Sequence, residues 1–426
     1  MHIKSLEVKN FRSIREFKMK FDTPAGWHVL IGDNGSGKSS ILKALSLAIM
    51  GPQEATALRI DLNNFIYFNE QEARVAIQIL KHDRDKQKGQ SAPLKKPFGA
   101  AIMLETTEQG SIKTGRISQD GKSLYPKRYI WNSLRGWFSA AFGPFRRFSG
   151  GNKDWGKLYY SNPRAASHLS VFGEDVALTE SLEWLSELNY KRLEQDAEAE
   201  KTLDFIKRFI NEGDLLPHGA KFVRASSEGV YLEDGNGQQV SVTEMSDGFR
   251  SVLNMTFEII RQMILNFGVN DVFEESAEGI RISVEGVVMI DEVDAHLHPT
   301  WQTRIGNWFT QYFPKVQFIV TTHSPLICRA SENGTIWRLS APGGDLADQG
   351  EITGTERQQL IVGNILDAYG TELFGKSPVR SPKNEAGLER LGNLNIKYAL
   401  DKLTEPEAQE RLQLMTTFST DDPTGF

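Results

Sequence analysis

Cysteine is nearly absent: Cys328 is the only one in 426 residues, which excludes an intrachain disulfide framework and a paired-cysteine metal hook. It follows Pro325-Leu326-Ile327 and reads as a small buried hydrophobe, consistent with a reducing, cytoplasmic compartment. Long apolar runs are also missing. None approaches the roughly eighteen residues of a spanning helix, and Met1–Asn10 is too charged for a secretory leader, so a soluble chain without membrane contact is expected. Nor is there an excess of basic charge: 49 Lys and Arg stand against 55 Asp and Glu, a net charge of −6. Proteins that grip a duplex along a long surface draw most non-specific affinity from phosphate neutralisation, so this balance argues against a chain-wide nucleic-acid face. Basic clusters at Lys81–Lys96, Lys127-Arg128 and Arg146-Arg147 are either solvated loops or restricted patches, so nucleic acid would bind locally, through an oligomer or through a partner complex.

What is present is concentrated in four short strings. Gly32–Ser39 (GDNGSGKS) satisfies G-x-x-x-x-G-K-[ST] at every fixed position. Its glycines permit φ > 0, so successive backbone N–H groups turn inward around a polyphosphate. Asp33, Asn34, Gly35, Ser36, Gly37, Lys38, Ser39 and Ser40 are the expected binding set, with Lys38 on the β- and γ-phosphates and Ser39 as a Mg²⁺ ligand. The apolar run His28–Ile31 before the loop and the amphipathic pattern from Ser40 after it supply the strand–loop–helix order the motif needs.

Val287–Ile290 is a continuous apolar run, as in a strand buried on both faces, and it ends at Asp291-Glu292. Acids at such a carboxyl end meet the crevice where open α/β sheets bind ligands. Asp291 is expected to hold Mg²⁺, and Glu292 to orient and polarise the attacking water. Lys38, Ser39, Asp291 and Glu292 then form a minimal set for phosphoryl transfer from ATP. Gln317–Thr322 predicts another strand, ending at His323. A lone histidine is more often structural, but this one is placed to sense a γ-phosphate, because imidazole can donate to an oxyanion or contact a bound water. Ser246 opens a long apolar helix whose N-terminal amides favour an anion.

These strings together resemble the ABC-type ATPases of the RecF, SMC and OLD group. Met245–Arg250 resembles their signature motif, which implies that Ser246 and Gly248 contact the γ-phosphate held by the opposite subunit of a homodimer or higher oligomer. Asp294-Ala295-His296 resembles the D-loop, His323 the switch histidine, and Ile3–Phe21 the opening strands of that group. Asp247 and Phe249 depart from the transporter-type signature, and Gln53, Gln71 and Gln78 are the candidates for a Q-loop glutamine. The strings SDGFRS, DEVDAHLHPTWQ and GPFRRFSGG resemble more narrowly the PtuA-like ATPases of Septu and Septu-type retron systems, which implies an HNH-type nuclease partner in anti-phage defence. Two other functions stay open: a nucleotide-gated scaffold with slow turnover, and a RecF-like repair ATPase.

The expected fold is α/β: an ABC-type P-loop NTPase with a mixed sheet, an antiparallel β layer and a helical insert. Residues 1–124 form the first lobe, in which Ala73–Leu80, Gly99–Thr106 and Ser111–Ile117 extend the antiparallel layer. Residues 125–240 form the insert, mostly helical from Tyr125 to Gly219 and closing with a hairpin at Gly229–Val242. The insert lacks the sustained heptads of a coiled-coil arm. Residues 241–350 form the second lobe and 351–426 a helical end, with helices expected at Thr355–Leu373 and Leu388–Thr416 and an acidic tail from Ser419. No TOPRIM nuclease domain is expected after His323, so any DNA cleavage would belong to a partner. His296 and His298 lie two apart with no acidic or cysteine cluster beside them, so an interface role is expected rather than zinc. Arg146 or Arg147 could position nucleotide or hold a structural salt bridge.

Overall fold

Among the strands buried along their whole length, or at all but the first residue, are β3 (Gly26–Ile31), β13 (Gly286–Ile290) and β14 (Val316–Thr321). Strands of this kind suit a sheet covered on both faces. They form the middle of a six-stranded sheet, with β7 (Phe138–Phe142), β15 (Ile336–Arg338) and β16 (Gly350–Glu351), in the order β16-β15-β3-β14-β13-β7. All pairings are parallel except β15 with β16. The register sets Leu30 beside Thr321 and Val320 beside Ile290. The P-loop, Asp291 and His323 therefore leave the sheet side by side at its carboxyl edge.

The computed structural model describes all residues except 86–95, 110–111, 132–136, 147–161, 174–179, 277–278, 364–389, 396, 399–402 and 418–426. Most of the Lys81–Lys96 loop, Arg147 and the acidic tail lie outside the described residues. Residues Met1–Ile365 form one compact unit and Leu366–Phe426 another. In the second unit, the helix Glu405–Thr417 carries Glu410 against Arg390 at 2.7 Å. Among the described residues, no helix is long and apolar enough to cross a membrane, and no group of three or more His, Cys, Asp or Glu could hold a metal ion.

The antiparallel layer is as expected: β1 (His2–Phe11), β2 (Ile14–Lys20), β4 (Glu72–Leu80), β5 (Phe98–Gln109) and β6 (Ile112–Gln119) run in the order β2-β1-β4-β5-β6. Alternation puts Leu6, Val8, Phe17, Val75, Ile77 and Ile102 on one face. That face shares a core with Ile41, Leu42 and Leu45 of the P-loop helix (Lys38–Ala57). The helix is interrupted where its pattern ends, at Gly51, ahead of Pro52.

One segment differs. Phe138–Phe142 falls in the stretch expected to be helical, yet it is β7, the edge strand beside β13. Its sequence, Phe-Ser-Ala-Ala-Phe, has no period of its own and gains strand geometry from pairing with Gly286–Ile290. The rest of that stretch does contain helices, at Glu180–Leu193 and Ala197–Glu212, the second capped by Asp196. The hairpin follows as β9 (Gly229–Glu233) and β10 (Gln239–Ser241), turning at Asp234, with β8 (Lys221–Ser226) alongside β9. In the chain's last part, a helix spans Gly354–Val362 where Thr355–Leu373 was expected, and 364–373 lies outside the described residues. Cys328 is fully buried, and burial raises its thiol pKa.

Candidate functional site

The P-loop turns from β3 into its helix through Gly37, whose φ of 100° is left-handed and whose added Cβ would lie 2.3 Å from the Ile14 side chain. The backbone conformation therefore favours glycine there, and a side chain would also have to displace Ile14. The Lys38 ammonium folds back onto the loop, donating to the carbonyls of Gly32 at 2.7 Å and Asp33 at 3.0 Å. Burial lowers its pKa, opposed by the nearby charges of Asp291, Glu292 and Asp33. Ser36 Oγ is buried in the loop with no hydrogen-bond partner among the described residues. A buried hydroxyl is ordinarily satisfied, so this one suits a bound oxyanion.

Ser39 Oγ donates to Asp291 Oδ1 at 3.0 Å. A hydroxyl and a carboxylate facing each other at a strand end are the hard oxygen donors that Mg²⁺ takes. Thr321 Oγ1 donates to the same Asp291 oxygen at 2.6 Å and accepts from the Glu292 N–H at 2.7 Å. Glu292 takes φ 46°, which is uncommon for a residue with a Cβ, and Thr321 holds both ends of that turn. Next along the strand end, Thr322 Oγ1 donates to Asp294 at 2.6 Å and accepts from the Ser324 N–H at 2.9 Å. Adjacent threonines thus orient the two acids, a role the sequence reading did not give them.

Thr321→Val preserves shape and removes the hydroxyl. It is expected to lower Mg²⁺-dependent ATP turnover by up to about thirtyfold, as two hydrogen bonds worth roughly 1 kcal/mol each are lost. Steady-state hydrolysis beside a thermal melt checks this; parental turnover at saturating Mg²⁺ would show that Asp291 needs no help from Thr321.

The loop opens into a cavity of about 1040 Å³, ample for a nucleoside triphosphate. Asn34, Gly35, Gly37, Lys38, Ser39, Ser40, Glu292 and His323 line it together, while Asp33, Ser36 and Asp291 do not. The His323 pKa is lowered, first by burial and then by the Lys38 charge, so its ring is neutral at pH 7. Arg12, Asn63, Asn64, Tyr67, Phe68 and Gln71 also line the cavity. Of the three glutamines singled out, only Gln71 does so, just ahead of β4. The other five carry no sequence signal of their own. Arg12 stacks over the Phe65 ring at 5.3 Å, and Arg15 donates to the Tyr67 hydroxyl at 3.0 Å.

Ser246, Gly248 and Asp294 do not line this cavity. Ser246 is the N-cap of the 21-residue helix Asp247–Phe267, yet its side chain makes no capping bond. A serine N-cap normally accepts from the first-turn amides, and this exposed one does not. Gly248 packs on the D-loop: an added Cβ would sit 2.6 Å from the His296 carbonyl oxygen. Phe249 meets Trp301 with ring centroids 5.8 Å apart. His298 caps the helix Pro299–Tyr312 by accepting from the Thr300 N–H. Arg146 does not line the cavity and, among the described residues, pairs with no carboxylate; it donates to Ser251 and to the carbonyls of Gly143, Asp291 and Glu292.

A protein-family model described as "AAA domain, putative AbiEii toxin, Type IV TA system" matches residues 28–329. The Septu protein PtuA of Bacillus mycoides (strain KBAB4) is 26% identical over 339 residues, 78% of this chain and 40% of that protein. The Septu protein PtuA of Bacillus thuringiensis is 23% identical over 343 residues, 77% of this chain and 73% of that protein. The "Retron Ec83 probable ATPase" of Escherichia coli is 37% identical over 108 residues, 25% of this chain and 18% of that protein. This chain therefore spans well under half of the Bacillus mycoides relative and less still of the retron protein. By the span of the family match, the chain belongs to this AAA domain family, and it is similar to the Septu PtuA proteins.

Proposed function

We propose that the chain binds and hydrolyses ATP with Mg²⁺ at a site completed by the signature helix of a second copy, and that this cycle controls an HNH-type nuclease partner in anti-phage defence. The observation that carries the ATPase is the linked set Ser39–Asp291–Thr321–Glu292 beside Lys38. Bound Mg²⁺ would be held by Ser39 and Asp291 and would neutralise phosphate charge. Lys38 exchanges its two carbonyl partners for phosphate oxygens. Glu292 takes the proton of the attacking water, and neutral His323 offers an N–H toward the γ-phosphate. Gln71, which also lines the cavity, is our Q-loop residue.

The defence role is supported by likeness to proteins named for Septu and a retron, and the nuclease is what the resemblance to PtuA-like ATPases implies. The acidic balance of the chain supports nucleic-acid contact through the assembled complex rather than by the chain alone. Co-purification with the product of the neighbouring gene, followed by weighing with and without ATP, tests the assembly. The chain alone is expected to leave DNA intact and the complex to cut it. Deleting residues 405–426 should spare ATP hydrolysis and weaken the association. Metal-dependent DNA cleavage by the purified chain, persisting in Lys38→Ala, would overturn the division of labour.

A further inference from the structure

Arg146 lies just beyond β7, with only 6% of its surface exposed. Its Nη1 donates to the Asp291 carbonyl at 2.8 Å and the Gly143 carbonyl at 3.1 Å, and its Nη2 to the Glu292 carbonyl at 3.0 Å. Nε reaches the Ser251 hydroxyl at 2.7 Å. Burial draws its pKa down to about 10, against the pull of Asp291, Asp294 and Glu292, so it stays charged at neutral pH. Burying a cation among neutral acceptors is costly, and three carbonyls would suffice to steady one turn. The fourth bond goes elsewhere. Ser251 belongs to the helix that Ser246 opens. One rigid fork therefore grips the turn that carries Glu292 in its left-handed conformation and the root of the signature helix. Because the donors of a guanidinium are fixed relative to one another, movement at one end is passed on to the other.

In the composite site proposed above, those two ends serve different nucleotides: Glu292 faces the chain's own ATP, and Ser246 the ATP of the second copy. We infer that Arg146 is a positioning residue that couples the two nucleotide sites of the dimer, so that seating ATP against the Glu292 turn sets the Ser246 helix start offered across the interface. This inference rests on the composite-site proposal.

Ser251→Ala removes one hydroxyl and leaves the three carbonyl bonds of Arg146 in place, so the fold is expected to persist. The parent dimer should hydrolyse ATP with a Hill coefficient above one. Ser251→Ala should bring that coefficient to one and lower kcat by roughly fivefold or more, the low end of ordinary coupling, with ATP affinity at the P-loop and ATP-driven dimerisation unchanged. Arg146→Lys keeps the charge without the fork and should move both readouts the same way. A Ser251→Ala dimer with the parental Hill coefficient and kcat would overturn the coupling and leave the composite site standing, as would a parent dimer with a coefficient of one. A parent chain that hydrolyses ATP as a monomer would overturn both.

Discussion

Replacing Glu292 with glutamine is expected to leave ATP binding at the parental level and to lower turnover by about 10²-fold or more, the scale of lost general acid–base help. The substitution keeps the side chain's shape and does not touch the backbone N–H that Thr321 accepts at 2.7 Å. The left-handed turn and the hold on Asp291 therefore persist, and only the proton-accepting carboxylate is lost. Lys38→Ala gives the opposite division: the phosphate cation is gone, so nucleotide binding itself should weaken. Phosphate release and fluorescent-nucleotide titration separate the two. Parental hydrolysis by Glu292→Gln would remove that carboxylate from the chemistry.

The second large effect concerns Ser246. It is exposed, starts a 21-residue helix and makes no capping bond within its own chain. Ser246→Arg should therefore fold, bind ATP at its intact P-loop and lose turnover by about 10²-fold or more, comparable to losing a preorganised donor to a developing oxyanion. In a mixed dimer with Lys38→Ala, one site combines an intact P-loop with an intact signature helix. Mixing the two inactive variants should then restore part of the activity. Demonstrably mixed dimers that stay inactive would sink the head-to-tail arrangement.

Much of this centre is written in contiguous residues. The P-loop, the acids after Val287–Ile290 and His323 after Gln317–Thr322 are each a strand with its own exit turn, and parallel register alone brings them together. The antiparallel layer was equally legible, because alternation marks every strand of it. What escaped depends on pairs far apart in the chain. Thr321 and Thr322 look like ordinary β-branched strand residues until Asp291 and Asp294 come within 2.6 Å. The acceptors of Arg146 are three carbonyls and the Ser251 hydroxyl, a set that no side-chain pattern announces. β7 is too short and too uniform to show a period before β13 pairs with it.

The contact between Gly248 and the His296 carbonyl separates two kinds of intolerance along the signature motif. Position 248 is closed to side chains by its own chain, so substitutions there are selected against at the level of folding, before any nucleotide or second subunit matters. Position 246 is open, and pressure on it comes only from what it meets. In a library sorted first for soluble expression and then for phage resistance, the glycine's spectrum would narrow at the first sort and the serine's only at the second.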